Sequence, residues 1–313
     1  VSGRGQILVG GEALYDLVLA DDDLLRGYPG GGPFNTARSI GRLEQPVAYL
    51  GRLSTDRFGR KLEGILAADG VDLGAVVRTE EPTTLALAET DSTGNARYRF
   101  YDEGTAAPGL TAADALAVLP DSVAILHVGT LGLTLEPIAT ALEAVVEAVA
   151  PDALVAVDPN CRPWAITDLK RYRARLSRVL SRSHLVKVSE EDLAWLDPGR
   201  PPATAARALL DLGPTVALLT RGPEGALVVW ADGEVEVPAR PTQVADTIGA
   251  GDAFGAGFLS WWHSQGLGRD ALSDREAVAE ATAFAVLVAA RTVERPGASP
   301  PRLSELSAGY ATR

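Results

Sequence analysis

The run Asp246-Thr247-Ile248-Gly249-Ala250-Gly251-Asp252-Ala253-Phe254, followed by GAGFLSWW, holds residue types suited to moving an anionic group. Gly249, Ala250 and Gly251 are three small residues at the start of an expected helix. They leave backbone N–H groups bare, with the positive end of the helix dipole behind them. Such a hole stabilises charge building on a transferring phosphoryl group, and a carboxylate at the first turn, Asp252, is placed to take a proton from an attacking hydroxyl. Taken alone, the same run also fits an ordinary Asp near a helix N-terminus with glycine for tight packing.

Three further segments carry candidate chemistry, each weak by itself. Gly30-Gly31-Gly32-Pro33-Phe34-Asn35 opens a second expected helix; its glycines permit positive φ and close backbone approach, and Asn35 offers both a donor and an acceptor to a polyhydroxy ligand. The competing reading is a flexible turn with Asn35 as a cap. Asp158-Pro159-Asn160-Cys161-Arg162 crowds polar groups at the end of an apolar run, and Asp16 follows Gly10-Gly11-Glu12. No Gly-x-x-x-x-Gly-Lys-Ser/Thr occurs, which excludes a P-loop, and the first strand ends in Gly-Gly-Glu instead of the dinucleotide fingerprint. His127, His184 and His263 lie far apart with no neighbour at metal-ligand spacing, so they read as core or surface residues.

The elements that position these residues alternate. Gln6 to Val9 reads as a buried first strand, with strand-like runs at 47–50, 124–128, 154–157, 185–188 and 216–220. Helical spacing appears from Asn35 to Leu43, over 58–69, 138–149, 203–212, from about Gly251 to Trp262, and over 275–290. This βα alternation implies a mainly parallel sheet covered on both faces, a three-layer α/β/α sandwich, with ligands beyond the C-terminal strand ends. The stretch from Thr83 to Tyr101 instead alternates polar and apolar residues about a Ser-Thr-Gly-Asn turn, which marks an exposed hairpin and a separate small β-sheet.

Over 313 residues, 46% are hydrophobic and 22% charged, the balance of a globular chain. A net charge of -12 without any basic stripe argues against nucleic acid as a partner. A single cysteine, Cys161, allows no internal disulfide, and the longest apolar stretch, Ala283 to Ala290, is too short to span a bilayer. No membrane partner and a cytoplasmic location are therefore expected. The N-terminal apolar run is too short and interrupted for a signal segment, and the absence of Met leaves the translation start unmarked.

In order and nearly end to end, these segments resemble the ribokinase-like (PfkB) carbohydrate kinases. DTIGAGDAFGAG is the most specific match. The resemblance implies one kinase domain over 1–313, with a β lid formed by about 12–30 and 83–105 that closes over the sugar. It implies Asp252 as base and Gly249, Ala250 and Gly251 as the anion hole. Asp16 and Asn35 fall on the sugar-hydroxyl positions, and Gly30-Gly31 is the hinge pair. Thr220, Gly222 and Gly225 match the nucleotide-side loop, while Lys187 either faces the phosphates or lies on the surface. Ser189-Glu190-Glu191-Asp192 stands where the family has Asn-x-x-Glu, which places Ser189 by the nucleotide and Asp192 by the metal. Asp246 and Ile248 match a monovalent-cation site, so ATP, Mg2+ and K+ are the implied cofactors. The chain departs from the family pattern at Glu44 and Ser54, where small residues, often Gly, are usual.

GGEALYDLV, LHVGTLGL, KVSEEDL, the FYDEGTA stretch and RPGASPPRL look most like bacterial fructokinases, which implies phosphorylation of a primary hydroxyl of fructose. The runner-up is a 2-keto-3-deoxygluconate kinase, with Arg162 pairing a substrate carboxylate. A ribokinase or nucleoside kinase follows, and a non-catalytic sugar-binding protein on the same fold is the reading of a different class. Edge pairing of the lid suggests a homodimer.

Overall fold

The computed structural model describes residues 5–19, 24–90 and 96–306. The opening aliphatic run forms β1 (Gln6–Gly10). The chain then leaves the body as an antiparallel pair, β2 (Leu14–Leu19) and β3 (Leu25–Gly30), and returns along α1 (Gly32–Arg42). Pro33 suits the first turn of a helix, because its missing N–H would have no partner there, and α1 accordingly starts three residues before Asn35. After it come β4 (Val47–Ser54), α2 (Arg57–Ala68) and β5 (Val76–Thr79). A hairpin follows, β6 (Leu85–Thr90) and β7 (Ala96–Tyr101), whose expected turn lies outside the described residues.

The second half is a βα succession: α3 (Ala112–Ala117), β8 (Val123–Gly129), α4 (Ile138–Ala148), β9 (Leu154–Asp158), α5 (Leu169–Leu180) and β10 (Leu185–Ser189). Helices α6 (Glu190–Leu196) and α7 (Pro202–Leu210) lead to β11 (Val216–Thr220) and then to the antiparallel β12 (Ala226–Trp230) and β13 (Gly233–Val237). Helices α8 (Ala250–Ser264), α9 (Arg275–Val293) and α10 (Leu303–Leu306) close the described chain.

Among the described residues the main sheet runs β13-β12-β11-β10-β9-β8-β1-β4-β5, parallel from β11 to β5. Alternate residues of its strands enter two cores. Ile7, Val9, Leu154 and Ala156 pack against α1, α2, α8 and α9, whereas Leu8, Val155 and Val157 pack against α4, α5 and their neighbours. The expected three-layer sandwich is therefore present. Burying each Val, Leu or Ile contributes roughly 1.5–3 kcal/mol, so a strand held from both faces is a rigid platform for whatever sits at its end.

The hairpin β6–β7 joins the pair β2–β3 in a four-stranded sheet ordered β3-β2-β6-β7, whose inner pair β2–β6 is parallel and whose outer pairs are antiparallel. Leu14, Ala86 and Phe100 of this sheet pack on Leu131, and Phe100 stacks on Trp164 of the main body at 3.8 Å between ring centroids. Glu44 sits at φ 61, a left-handed conformation that favours glycine.

Candidate active site

Parallel packing brings the strand ends side by side: Gly129 is in register with Asp158, and Ser189 with Thr220. Two helices point their N-termini at this edge. Both begin on a glycine with positive φ, Gly31 (φ 110) for α1 and Gly249 (φ 76) for α8, and neither has a side-chain cap. By contrast α2, α6 and α9 are capped by Asp56, Ser189 and Asp274. The N–H of Gly32 at the start of α1 is accepted by Glu12 Oε1 at 3.2 Å, so the bare helix mouth at this edge is that of α8.

Asp252 lies in the first turn of α8, 9% exposed, and accepts a hydrogen bond from Asn35 Nδ2 at 2.9 Å. A Cβ on Gly32 would lie 2.5 Å from Thr130 Oγ1 and 3.3 Å from Asp252 Oδ1, so α1 can approach the carboxylate only because a glycine stands there. Burial pushes the Asp252 carboxyl above its ordinary value, opposed by the Asn35 bond and the charges of Lys187 and Arg162. A raised carboxylate beside cations is a usable base near neutral pH. No acceptor among the described residues takes the N–H of Gly251 or Asp252, whereas that of Ala250 turns back to the Thr247 carbonyl at 3.2 Å. The N–H of Gly249 likewise has no acceptor among the described residues, so two of the three expected amides are free, Asp252 adds another, and Ala250 is engaged in the turn.

Lys187 is buried, 6% exposed, which rules out the surface reading. Its Nζ donates to Asp158 Oδ2 at 2.9 Å and stands 3.0 Å from the place a Cβ of Gly251 would occupy. Burial disfavours the ammonium, but the carboxylates of Asp158, Asp192 and Asp252 more than compensate and its pKa is raised, so a fixed positive charge stands at the mouth of α8. Asp158 Oδ1 is buried without a partner among the described residues.

Asp16 projects from β2 so closely over Gly30 that a Cβ there would fall on its carboxylate. Its pKa is pushed up to about 6 by burial, with Arg162 opposing. Arg162 bonds Asn160 Oδ1 at 2.6 Å and the carbonyls of Asn160 and Cys161, and makes no ion pair within 4.0 Å among the described residues. Its charge acts instead on Glu12, Asp16 and Asp252 together.

Other expected residues are placed differently. Asp192, assigned to a metal, is turned inward: Oδ1 accepts from Cys161 N at 2.6 Å, and Oδ2 from Ser189 N and Oγ at 2.8 and 2.7 Å. Both oxygens accept protein donors, so Asp192 and Ser189 build the start of α6. Thr220 Oγ1 donates to the Val188 carbonyl at 3.3 Å; Gly222 (φ 53) faces open space, and a Cβ on Gly225 (φ 94) would collide with the Val237 carbonyl. Asp246 ties Ile248 N at 3.0 Å to Gly297 N at 2.8 Å, and the Ile248 side chain is 57% exposed. Among the described residues no group of three or more His, Cys, Asp or Glu side chains is arranged to hold a metal.

The sequence reading passed over Glu12 and Thr130. Thr130 adopts φ 55 directly after β8 and accepts from Asn160 Nδ2 at 3.3 Å. Nothing in its immediate sequence marks that strained backbone, which depends on β8 and β9 meeting. A cavity of about 590 Å3 between β7, residues 134–136 and α5 is lined by Arg99, Phe100, Glu136, Trp164, Arg171 and Arg175. It contains none of the groups around Asp252, which alone combine base, bare amides and fixed cation.

A buried carboxylate at an uncapped helix mouth, on the C-terminal edge of a mainly parallel α/β/α sandwich with a small second sheet, defines a kinase of the ribokinase-like class. The model for the pfkB family carbohydrate kinase matches residues 5–305, and the chain belongs to that family. It is a carbohydrate kinase, a phosphotransferase with an alcohol group as acceptor. The chain is 38% identical over 258 residues to the fructokinase of Rhizobium leguminosarum bv. trifolii, covering 81% of this chain and 78% of that one. It is 33% identical to fructokinase-1 of Zea mays over 96% of this chain and 95% of that one. A fructokinase from Xylella fastidiosa, solved with bound ATP, superposes with a TM-score of 0.87 at 28% identity, over 96% of this chain and 97% of the other.

Proposed function

We propose that this kinase transfers the γ-phosphoryl group of ATP to a primary hydroxyl of fructose, with Asp252 as the base. The observation that carries the reading is Asp252 itself, buried at the unpartnered amides of α8, hydrogen-bonded by Asn35 and facing Lys187. Asp252 accepts the hydroxyl proton as the oxygen attacks phosphorus and the bond to the β–γ bridging oxygen breaks, releasing ADP. The amides of Gly251 and Asp252 and the Lys187 ammonium neutralise charge on the transferring group. Asp16 and Asn35 hold sugar hydroxyls, and Arg162 favours the ionised forms of Asp16 and Asp252.

Mg2+ would enter with the nucleotide; the unpartnered Asp158 Oδ1 fits a metal-bound water, and the metal would supply charge neutralisation at the phosphates. A monovalent cation, K+, is assigned to the loop of Asp246 and Ile248, which Gly297 closes. Thr220, Gly222 and Gly225 border the nucleotide at the end of β11 and in the turn that leads to β12. The sheet β3-β2-β6-β7 acts as a lid that excludes water while Gly30-Gly31 flexes, and its edges are where a homodimer would form. No helix among the described residues is long and apolar enough to cross a membrane, and a cytoplasmic enzyme suits a chain with one buried thiol.

An ADP-release screen over fructose, 2-keto-3-deoxygluconate, ribose, adenosine and fructose 6-phosphate tests the reading. Fructose is expected to give the highest kcat/KM. A higher value for any other acceptor would overturn the substrate, and no sugar-dependent ADP at all would leave a binding protein.

A further inference from the structure

Glu12 is an acidic side chain with no place in the chemistry described so far, yet it is only 2% exposed. It follows β1 directly, where the chain leaves the main sheet. Its two oxygens are used separately: Oε1 accepts the N–H of Gly32 at 3.2 Å, and Oε2 accepts the N–H of Gly132 at 2.9 Å. Gly32 is the first residue of α1, and Gly132 lies in the single turn 130–133 after β8.

Each of these contacts leads toward the base. A Cβ on Gly32 would meet Thr130 Oγ1 and Asp252 Oδ1, and one turn further along the same helix Asn35 donates to Asp252 Oδ2. The 130–133 turn carries Thr130, whose hydroxyl lies against Gly32 and accepts from Asn160. The backbone of Glu12 adds a third contact, because its carbonyl would stand 2.5 Å from a Cβ on Gly31. One side chain therefore ties α1, which carries the Asn35 donor to Asp252, to the 130–133 turn.

We propose that Glu12 is a positioning residue for phosphoryl transfer, a two-armed clamp that sets α1 and the 130–133 turn at the spacing Asp252 requires. The proposal rests on Asp252 being the base. Two backbone donors aimed at one carboxylate require two acceptors, and this explains why a buried acid is kept at a position where burial pushes its pKa to about 8. An amide in its place keeps one acceptor and turns a donor toward the second N–H, so Glu12→Gln opens one arm without changing side-chain volume.

The test is made on the full-length enzyme, with the sugar that gives the highest kcat/KM in the ADP-release screen. Sugar-dependent turnover of the unmodified enzyme and its loss in Asp252→Asn test the base separately from the clamp. Glu12→Gln is expected to lower kcat about tenfold or more, with the KM values for ATP and sugar changed less than about threefold. Tyr49→Phe is the comparison, because Tyr49 OH bonds the neighbouring Gly11 carbonyl at 2.7 Å and shares the same turn without touching either arm. It is expected to keep kcat within about twofold of the unmodified enzyme. Equal losses of kcat in the two variants, or a Glu12→Gln enzyme with unchanged kcat, would overturn the proposal. Should Glu12→Gln not fold, amide exchange in the unmodified protein decides. Gly32 and Gly132 N–H groups are expected to exchange as slowly as β1, and exchange at the rate of exposed loops would refute the clamp.

Discussion

Removing the Asn35 amide isolates one interaction at the base. In Asn35→Ala the 2.9 Å bond to Asp252 Oδ2 is lost, while Asp252 stays buried with Lys187 and Arg162 nearby. A hydrogen bond to a charged group contributes about 1.5–3 kcal/mol, and its loss falls on the ionised form of Asp252. That loss raises the Asp252 pKa further above a value that burial has already lifted. A base must be unprotonated to work. Activity of the unmodified enzyme is therefore full at pH above the Asp252 pKa and is lost as pH falls through it, and in the variant this acid limb moves upward. Below the displaced limb, kcat/KM falls by about ten- to a hundredfold, while at high pH the gap narrows to whatever Asn35 contributes to sugar binding. The assay is the pH profile of kcat/KM for sugar-dependent ADP release. An acid limb at the same pH in both enzymes would refute the argument, whatever the absolute rates.

Three other substitutions read other parts of the site. Asp252→Asn should lower kcat by about 100- to 10,000-fold with ATP affinity retained, and turnover near normal would remove Asp252 as the base. Lys187→Met leaves Asp158 buried without its cation, a loss of about 3–5 kcal/mol that urea unfolding would report; a change below about 1 kcal/mol would show that the pair is not held. Gly249→Ala places a Cβ 2.8 Å from that of Ala298 on a backbone at φ 76, costing about 1–2 kcal/mol and shifting the start of α8. Its kcat should fall more than its stability accounts for, and wild-type kcat would mean that the helix start tolerates displacement.

The alternation of apolar runs with helical spacing is a local property, so the parallel sheet, its helices and most of their order were legible residue by residue. So was the α8 signal, because Gly249, Ala250, Gly251 and Asp252 are contiguous and bare helix amides follow from small residues alone. Boundaries slipped where local chemistry was overlooked, as at Pro33, which starts α1 early. Asp192 carries a further role for a related reason. A Ser followed three residues later by an acid is also a capping box, and the structure uses it as one.

The remainder depends on distance. Asn35 and Asp252 are 217 residues apart, and only the crossing of α1 and α8 brings amide to carboxylate. Lys187 could be read as surface or site until β10 was seen between two packed neighbours, with Asp158 at the adjacent strand end. Glu12 and Thr130 gave no signal, because their roles come from segments 120 residues apart in the case of Glu12 and Gly132, and from a strained backbone in the case of Thr130. Periodicity and side-chain type act over a few residues and settle the elements. Burial, pKa and the partner of each polar group are sums over everything packed nearby, and these exist only once the chain has closed on itself.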